Sequence, residues 1–209
     1  MSGVGVGGIA GLVLAGGLSR RMGGEKSQRL LGGRPMIAHV IARFAPQVGA
    51  TAISANSPHD LHAQFGLPIL ADLRPGHAGP LAGIEAGLDW AGGLAGVTHL
   101  ATAATDAPFV PRDLVARCAA RIAPGRIVLA RSPSGDHPIF GLWPLVLRAD
   151  LSDWLESSPT MKVFAWIRRH DVVWCDFDPE ALGGPDPFFN ANTPEDLAEA
   201  EAHLARRAG

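Results

Sequence analysis

Gly16 and Gly17, followed by Arg20, Arg21 and Lys26, combine what a polyphosphate requires of a protein. Glycine lets backbone N–H groups approach phosphate oxygens closely, because no Cβ intervenes and positive φ costs little. The cations then balance the charge that backbone dipoles leave over. The apolar run Leu12-Val13-Leu14-Ala15 reads as the buried strand that delivers this loop. A glycine turn carrying solvated basic residues is the alternative for the same letters.

Carboxylates and amides recur downstream. Asp106 follows an apolar run and precedes Ala107-Pro108, where a carboxylate is partly buried and needs a partner. Mg²⁺ shared with a substrate phosphate is one such partner, since Mg²⁺ takes few carboxylates plus phosphate oxygens and waters. A turn cap is the other. Asp72 closes a short apolar segment and has the same two readings, as a site residue or a strand-end cap. Asn190 and Asn192 bracket Ala191 ahead of a helix and suit either metal or backbone capping. His137 heads an extended run that includes Gly141 and Trp143; it is either a site residue or a packed imidazole. His59 and His62 share a helical face, but no thiol or carboxylate cluster accompanies them, so zinc is not expected. The nucleophile elbow G-x-S-x-G is absent. Gly3 to Gly8 matches G-x-G-x-x-G literally, yet it precedes the first strand, the wrong context for a dinucleotide.

These groups need a frame, and the hydrophobic pattern supplies one. Strands are predicted over residues 9–14, 50–55, 68–72, 97–103 and 126–130. Helices begin at Pro35, Pro80 and Pro111, proline being tolerated in a first turn. Unbroken β/α alternation implies a mostly parallel sheet covered on both faces, a three-layer Rossmann-like α/β sandwich. Ligands bind such sheets outside the carboxyl ends of the strands. Taken in order, the strands deliver Gly16 to Lys26, then Asn56, then Asp72 with Gly79-Pro80-Leu81-Ala82-Gly83, then Asp106. The last third is less regular. Residues 137–143 are expected to be extended, 151–156 and 161–170 helical, 172–177 a strand and 179–187 a loop. Thr193-Pro194-Glu195-Asp196 caps a final helix running to Arg207. No repeat or linker divides the chain, so residues 1–209 are read as one domain.

Composition limits the partners. With 18 basic and 20 acidic residues among 209, the formal charge is −2, so no global field exists to hold nucleic acid or an anionic membrane. A hydrophobic content of 47% excludes a disordered chain. No apolar run reaches the ~18 residues of a membrane span, and the first residues lack the cationic start of a secretory signal. Cys118 and Cys175 lie far apart in apolar surroundings, which suits buried thiols in a reducing cytoplasm.

The segment Leu14-Ala15-Gly16-Gly17-x-Ser19-x-Arg21-Met22-Gly23-x-x-Lys26 resembles the signature loop of nucleotidyltransferases with a nucleotide-diphosphosugar-transferase-like fold. Within them, the chain is similar to the molybdenum cofactor guanylyltransferases. The resemblance extends in order through Gly32-Gly33-Arg34-Pro35, the Gly79 to Gly83 loop, Thr105-Asp106-Ala107-Pro108-Phe109, His137-Pro138-x-Phe140-Gly141-Leu142-Trp143-Pro144 and the segment Phe189 to Leu197. It implies that GTP and the phosphate of molybdopterin react, with Mg²⁺, to give a guanine dinucleotide cofactor and pyrophosphate. Leu14, Ala15, Gly16, Gly17, Lys26, Asn56, Asp72 and Asp106 are then the GTP contacts, and Asp106 the metal ligand. Arg21, Lys26 and the metal stabilise the pyrophosphate leaving group. The N-terminal part binds nucleotide; the C-terminal part is the pterin side, where His137, Trp143, Asn190 and Asn192 are candidates. Transient contacts with cofactor-assembly proteins or apo-molybdoenzymes are implied as well. A cytidylyltransferase on the same pterin, a sugar-phosphate nucleotidyltransferase and a non-catalytic cofactor carrier are the other readings.

Overall fold

A computed structural model describes residues 6–15, 29–56, 60–74, 79–158, 160–179 and 185–208. The first strand, β1 (Ile9–Leu14), is buried at every position. A hairpin of β2 (Leu30–Leu31) and β3 (Arg34–Pro35) comes next, turned by Gly32 and Gly33 at φ 56° and 75°. Positive φ at both turn residues matches the twist of a two-residue hairpin and favours glycine. No periodicity in the sequence marks these two short strands. Pro35 then leads into α1 (Met36–Phe44), and β4 (Ala50–Ser54), α2 (Asp60–Ala63), β5 (Ile69–Leu70), α3 (Pro80–Gly92) and β6 (His99–Ala104) continue the alternation.

The remaining elements are α4 (Leu114–Ala119), β7 (Ile127–Ser132), β8 (Gly135–Pro144), α5 (Arg148–Ser157), α6 (Val163–Ile167), β9 (Val172–Asp176) and α7 (Pro194–Ala208). Two helices are shorter than the pattern implied. In α4, the donor at Val115 is satisfied from across the fold by Gln47 Oε1 at 2.9 Å, so the helix starts after Pro111 and not at it. Around α6, Lys162 is extended at φ −72°, ψ 127°, which confines the helix to five residues. The final cap forms as expected. Thr193 Oγ1 accepts from Asp196 N at 3.1 Å, and Asp196 Oδ2 accepts from Thr193 N at 2.8 Å.

Seven strands form one sheet in the order β5-β4-β1-β6-β8-β7-β9. All are parallel except β8, which runs antiparallel between β6 and β7. The chain moves from β1 outward through β4 to β5, then returns to place β6 on the other side of β1. Strand order therefore reverses between β1 and β6, where ligands of such sheets bind. One face of the sheet packs on α1 and α4 through Ile37, Phe44, Leu114 and Cys118. The other packs on α3, α5 and α6 through Ile84, Leu88, Leu151 and Trp166. This is the expected α/β sandwich with a mostly parallel sheet. Both cysteines are buried and free.

Two glycines set how closely α3 rides on the sheet. A Cβ on Gly83 would lie 2.5 Å from Ser54 Oγ and 2.9 Å from Leu14 Cδ2; one on Gly87 would lie 2.6 Å from Leu12 Cδ2 and 2.8 Å from Leu100 Cδ2. Gly87→Ala should therefore destabilise the fold by about 1–2 kcal/mol, the overpacking cost exceeding the gain in helix propensity. A urea unfolding midpoint equal to or above that of the wild type would mean that α3 has room to move.

Candidate functional site at the carboxyl edge of the sheet

The ends of β1, β4 and β6 are stitched together by main-chain bonds. Ala15 N donates to Ser54 O at 2.9 Å, and Thr105 N donates to Leu14 O at 3.3 Å. Leu14 and Ala15 thus sit at the switch point, at the end of β1 with β4 on one side and β6 on the other. Gly16, Gly17, Arg21 and Lys26, assigned to the phosphate loop, lie outside the described residues.

Asn56, just past β4, and Asp72, just past β5, form a reciprocal clasp. Asn56 Nδ2 donates to Asp72 Oδ2 at 2.8 Å, and Asp72 N donates to Asn56 Oδ1 at 2.9 Å. The backbone donor fixes which end of the amide is oxygen, so the orientation of Asn56 is set by the network. Among the described residues, one amide hydrogen of Asn56 and the remaining lone pairs of the Asp72 carboxylate are not used by this clasp.

Asp106 follows β6 by two residues and is half-buried. Its carbonyl oxygen accepts from Ala191 N at 3.0 Å. That bond brings the Asn190-Ala191-Asn192 segment, 85 residues further on, to the switch point. Arg29 Nη1 donates to Asn192 O at 2.8 Å, and Asn192 N donates to Asp196 Oδ2 at 2.8 Å, so the segment is also held to the final helix.

Beside this segment opens a cavity of about 410 Å³, lined by Pro80, His137, Pro138, Ile139, Lys162 and Asn190 among others. Its shape comes from an irregularity in β8. Leu129 of β7 faces Gly141, but the next residue, Ala130, faces His137. Residues 138–140 have no partner in β7 and bow outward; Thr102 Oγ1 holds them from β6 by donating to Ile139 O at 2.7 Å. Lys162 is exposed and makes no ion pair among the described residues. His137 is half-buried, and burial lowers its affinity for a proton despite Asp186 and Asp136 nearby. Its walls are mostly apolar and its polar groups are Lys162, the amide of Asn190, the imidazole of His137 and the Asp136 carboxylate, which is paired to Arg131 at 2.6 Å; such a set suits a planar ring bearing an anionic group.

His137 and Asn190 thus line one cavity, adjoining Asp106. Trp143 does not join them. It is 0% exposed, stacks on Trp166 at 5.9 Å and donates from Nε1 to Thr102 Oγ1 at 2.8 Å. With no face open to a ligand it is a core residue, which corrects its place among the pterin candidates. Sequence reasoning missed Lys162, Ser132 and Asp186. Ser132 lies just beyond the fifth predicted strand, and a hydroxyl at the carboxyl end of a strand was the signal that could have found it. Lys162 falls inside a longer predicted helix, and Asp186 inside an aperiodic loop.

The model of the MobA-like NTP transferase domain matches residues 11–173. The chain belongs to that family. A molybdenum cofactor guanylyltransferase of Rhizobium leguminosarum is 45% identical over 199 residues, covering 94% of this chain and 93% of the relative. Another, from Mesorhizobium japonicum, is 47% identical over 195 residues, covering 92% and 94%. Among solved structures, the molybdopterin-guanine dinucleotide biosynthesis protein A of Archaeoglobus fulgidus superposes with a TM-score of 0.73 at 24% identity, covering 94% of this chain and 99% of that one. The chain is accordingly a nucleotidyltransferase of the molybdenum cofactor guanylyltransferase family, as its motifs implied.

Proposed function

We propose that this chain, acting as one domain over residues 1–209, transfers GMP from GTP to the phosphate of molybdopterin. An oxygen of that phosphate attacks the α-phosphorus of GTP, the bond to the β-phosphate oxygen breaks, and pyrophosphate leaves. The observation that carries the reading is the Ala191–Asp106 bond, which sets the nucleotide edge of the sheet beside the cavity of His137, Lys162 and Asn190. Identity of 45% to a guanylyltransferase over nearly its full length supports the same reading.

In-line transfer asks the protein to position reactants and neutralise charge, not to supply a nucleophile. Leu14, Ala15, Gly16 and Gly17 cradle the nucleotide, with Asn56 and Asp72 at its polar groups. Arg21 and Lys26 balance the leaving pyrophosphate. Among the described residues no cluster of three His, Cys, Asp or Glu could cage a metal. Mg²⁺ needs no such cage, since one carboxylate with phosphate oxygens and waters completes its shell. Asp106 fits that donor set, and a Mg²⁺ bound there would offset phosphate charge. Asn190 and Asn192 flank the junction of the two substrates, and Lys162 faces the acceptor phosphate.

No helix among the described residues is long and apolar enough to cross a membrane, and the near-neutral charge offers nucleic acid no broad surface. A cytoplasmic setting, where GTP and apo-molybdoenzymes meet the product, suits both.

Pyrophosphate release measured with GTP, CTP and ATP, each with and without molybdopterin, tests the assignment. Release with GTP and only when the pterin is present is expected; equal release with CTP would overturn the guanine preference. Lys162→Ala should raise KM for molybdopterin about tenfold, one exposed charge-assisted contact being lost, with KM for GTP unchanged. An unchanged pterin KM would remove Lys162 from the acceptor site.

A further inference from the structure

The cavity contains a hydrogen-bonded group that neither nucleotide binding nor charge balance uses. Ser132, 7% exposed at the end of β7, donates from Oγ to Asp186 Oδ2 at 2.6 Å. Burial pushes the Asp186 carboxyl up, but hydrogen bonds from Ser132, from Phe188 N and from Ser134 outweigh it and hold the group below its ordinary range. Asp186 is therefore ionised at neutral pH and can only accept.

A serine hydroxyl has one proton, and Ser132 gives its proton to Asp186. The 2.8 Å contact between Ser132 Oγ and His137 Nε2 must then run from ring to hydroxyl, with Nε2 carrying the hydrogen. Ser134 N, donating to the same Oγ at 3.3 Å, agrees with Ser132 acting as acceptor on that side. The ring is neutral, so Nδ1 keeps a bare lone pair, and no hydrogen bond reaches it among the described residues. Packing holds the plane of the ring: Phe188 lies 4.5 Å away at 32°, and Phe140 stands edge-on at 6.3 Å. The result is an acceptor fixed by packing on the wall of a cavity that Lys162 and the amide of Asn190 also line, together with the Asp136 carboxylate, which is paired to Arg131 at 2.6 Å.

We infer that Asp186 and Ser132 lock His137 as its Nε2–H tautomer, so that Nδ1 accepts from a ring N–H of the planar heterocycle entering this cavity. Resting on the reading of the cavity as the acceptor pocket, the inference assigns His137 the choice between acceptors: a ring with an N–H at that edge is bound, and one presenting a lone pair there is repelled. Ser132 and Asp186 are positioning residues that act through the imidazole.

Two measurements test it. Long-range ¹H–¹⁵N correlation of the labelled, unliganded protein at pH 7 should show His137 neutral with Nδ1 unprotonated, and Ser132→Ala should convert it to a mixture of tautomers. A wild-type His137 protonated at Nδ1, or a tautomer indifferent to Ser132→Ala, overturns the lock. In steady-state assays His137→Phe should raise KM for molybdopterin about tenfold, the loss of one neutral hydrogen bond, with KM for GTP and the circular dichroism spectrum unchanged. His137→Asn, whose Oδ1 stands in for Nδ1, should recover most of the loss. If His137→Phe leaves the pterin KM alone while Lys162→Ala raises it, the pocket stands and the role of His137 falls. If neither variant moves it, the acceptor-pocket reading falls and takes this inference with it.

Discussion

Asp106→Ala should abolish Mg²⁺-dependent transfer, lowering kcat by about a hundredfold to a thousandfold or more, while leaving the protein folded. Loss of one preorganised electrostatic element at a reacting centre has effects of about this size. One structural contact of Asp106 runs through the main chain and survives the substitution. Its carbonyl accepts from Ala191 N at 3.0 Å, and alanine keeps that carbonyl. Thr105 and Ala107 on either side are buried and carry the packing of the turn. Pyrophosphate release against Mg²⁺ concentration, with circular dichroism as the control, checks the expectation. Near-normal turnover would refute the metal role of Asp106.

Gly141→Ala should act on the fold itself. Gly141 has φ 154°, and a Cβ there would run into the Val128 carbonyl oxygen and lie 2.8 Å from Leu129 Cα. The obstacles are backbone atoms of the neighbouring strand, so no side-chain rotation relieves them. Backbone strain and overpacking each cost about 1–3 kcal/mol, giving a loss of about 2–6 kcal/mol together. In a chain of this size that is a fall in Tm of roughly 10 °C. A Tm within a degree or two of the wild type would show that β7 and β8 can separate here at little cost. Any Gly141→Ala protein that folds should also lose affinity for the acceptor, because the outward bow at residues 138–140 begins at this glycine.

That bow also marks where the sequence stops being readable. In an unbroken strand His137 and Trp143, six residues apart, share a face, so alternation alone does not separate them. Three unpaired residues between them invert the alternation. His137 packs on Phe188 on one side of the sheet, and Trp143 stacks on Trp166 on the other. The candidate nucleotide edge is legible for the opposite reason. Leu14, Asn56, Asp72 and Asp106 each close or succeed a short apolar strand, and the rule that ligands gather at the carboxyl ends of parallel strands needs no contact information. Asn190 and Asn192 are legible because a capping box marks the next helix. Lys162 falls just before a helix shorter than its periodicity implies, Asp186 lies in a stretch without period, and Gln47 caps α4 from 68 residues away. Such partners are set by the folded chain, so no local pattern announces them.

The joint between Asp106 and Ala191 is made of backbone alone, N–H to carbonyl, and so it is blind to the side chains at both positions. A connection of that kind tolerates substitution at either end. Substitution at position 106 or 191 leaves this joint in place, whereas the bonds from Thr102 to Ile139 O and from Arg29 to Asn192 O tie the same two parts together through side chains.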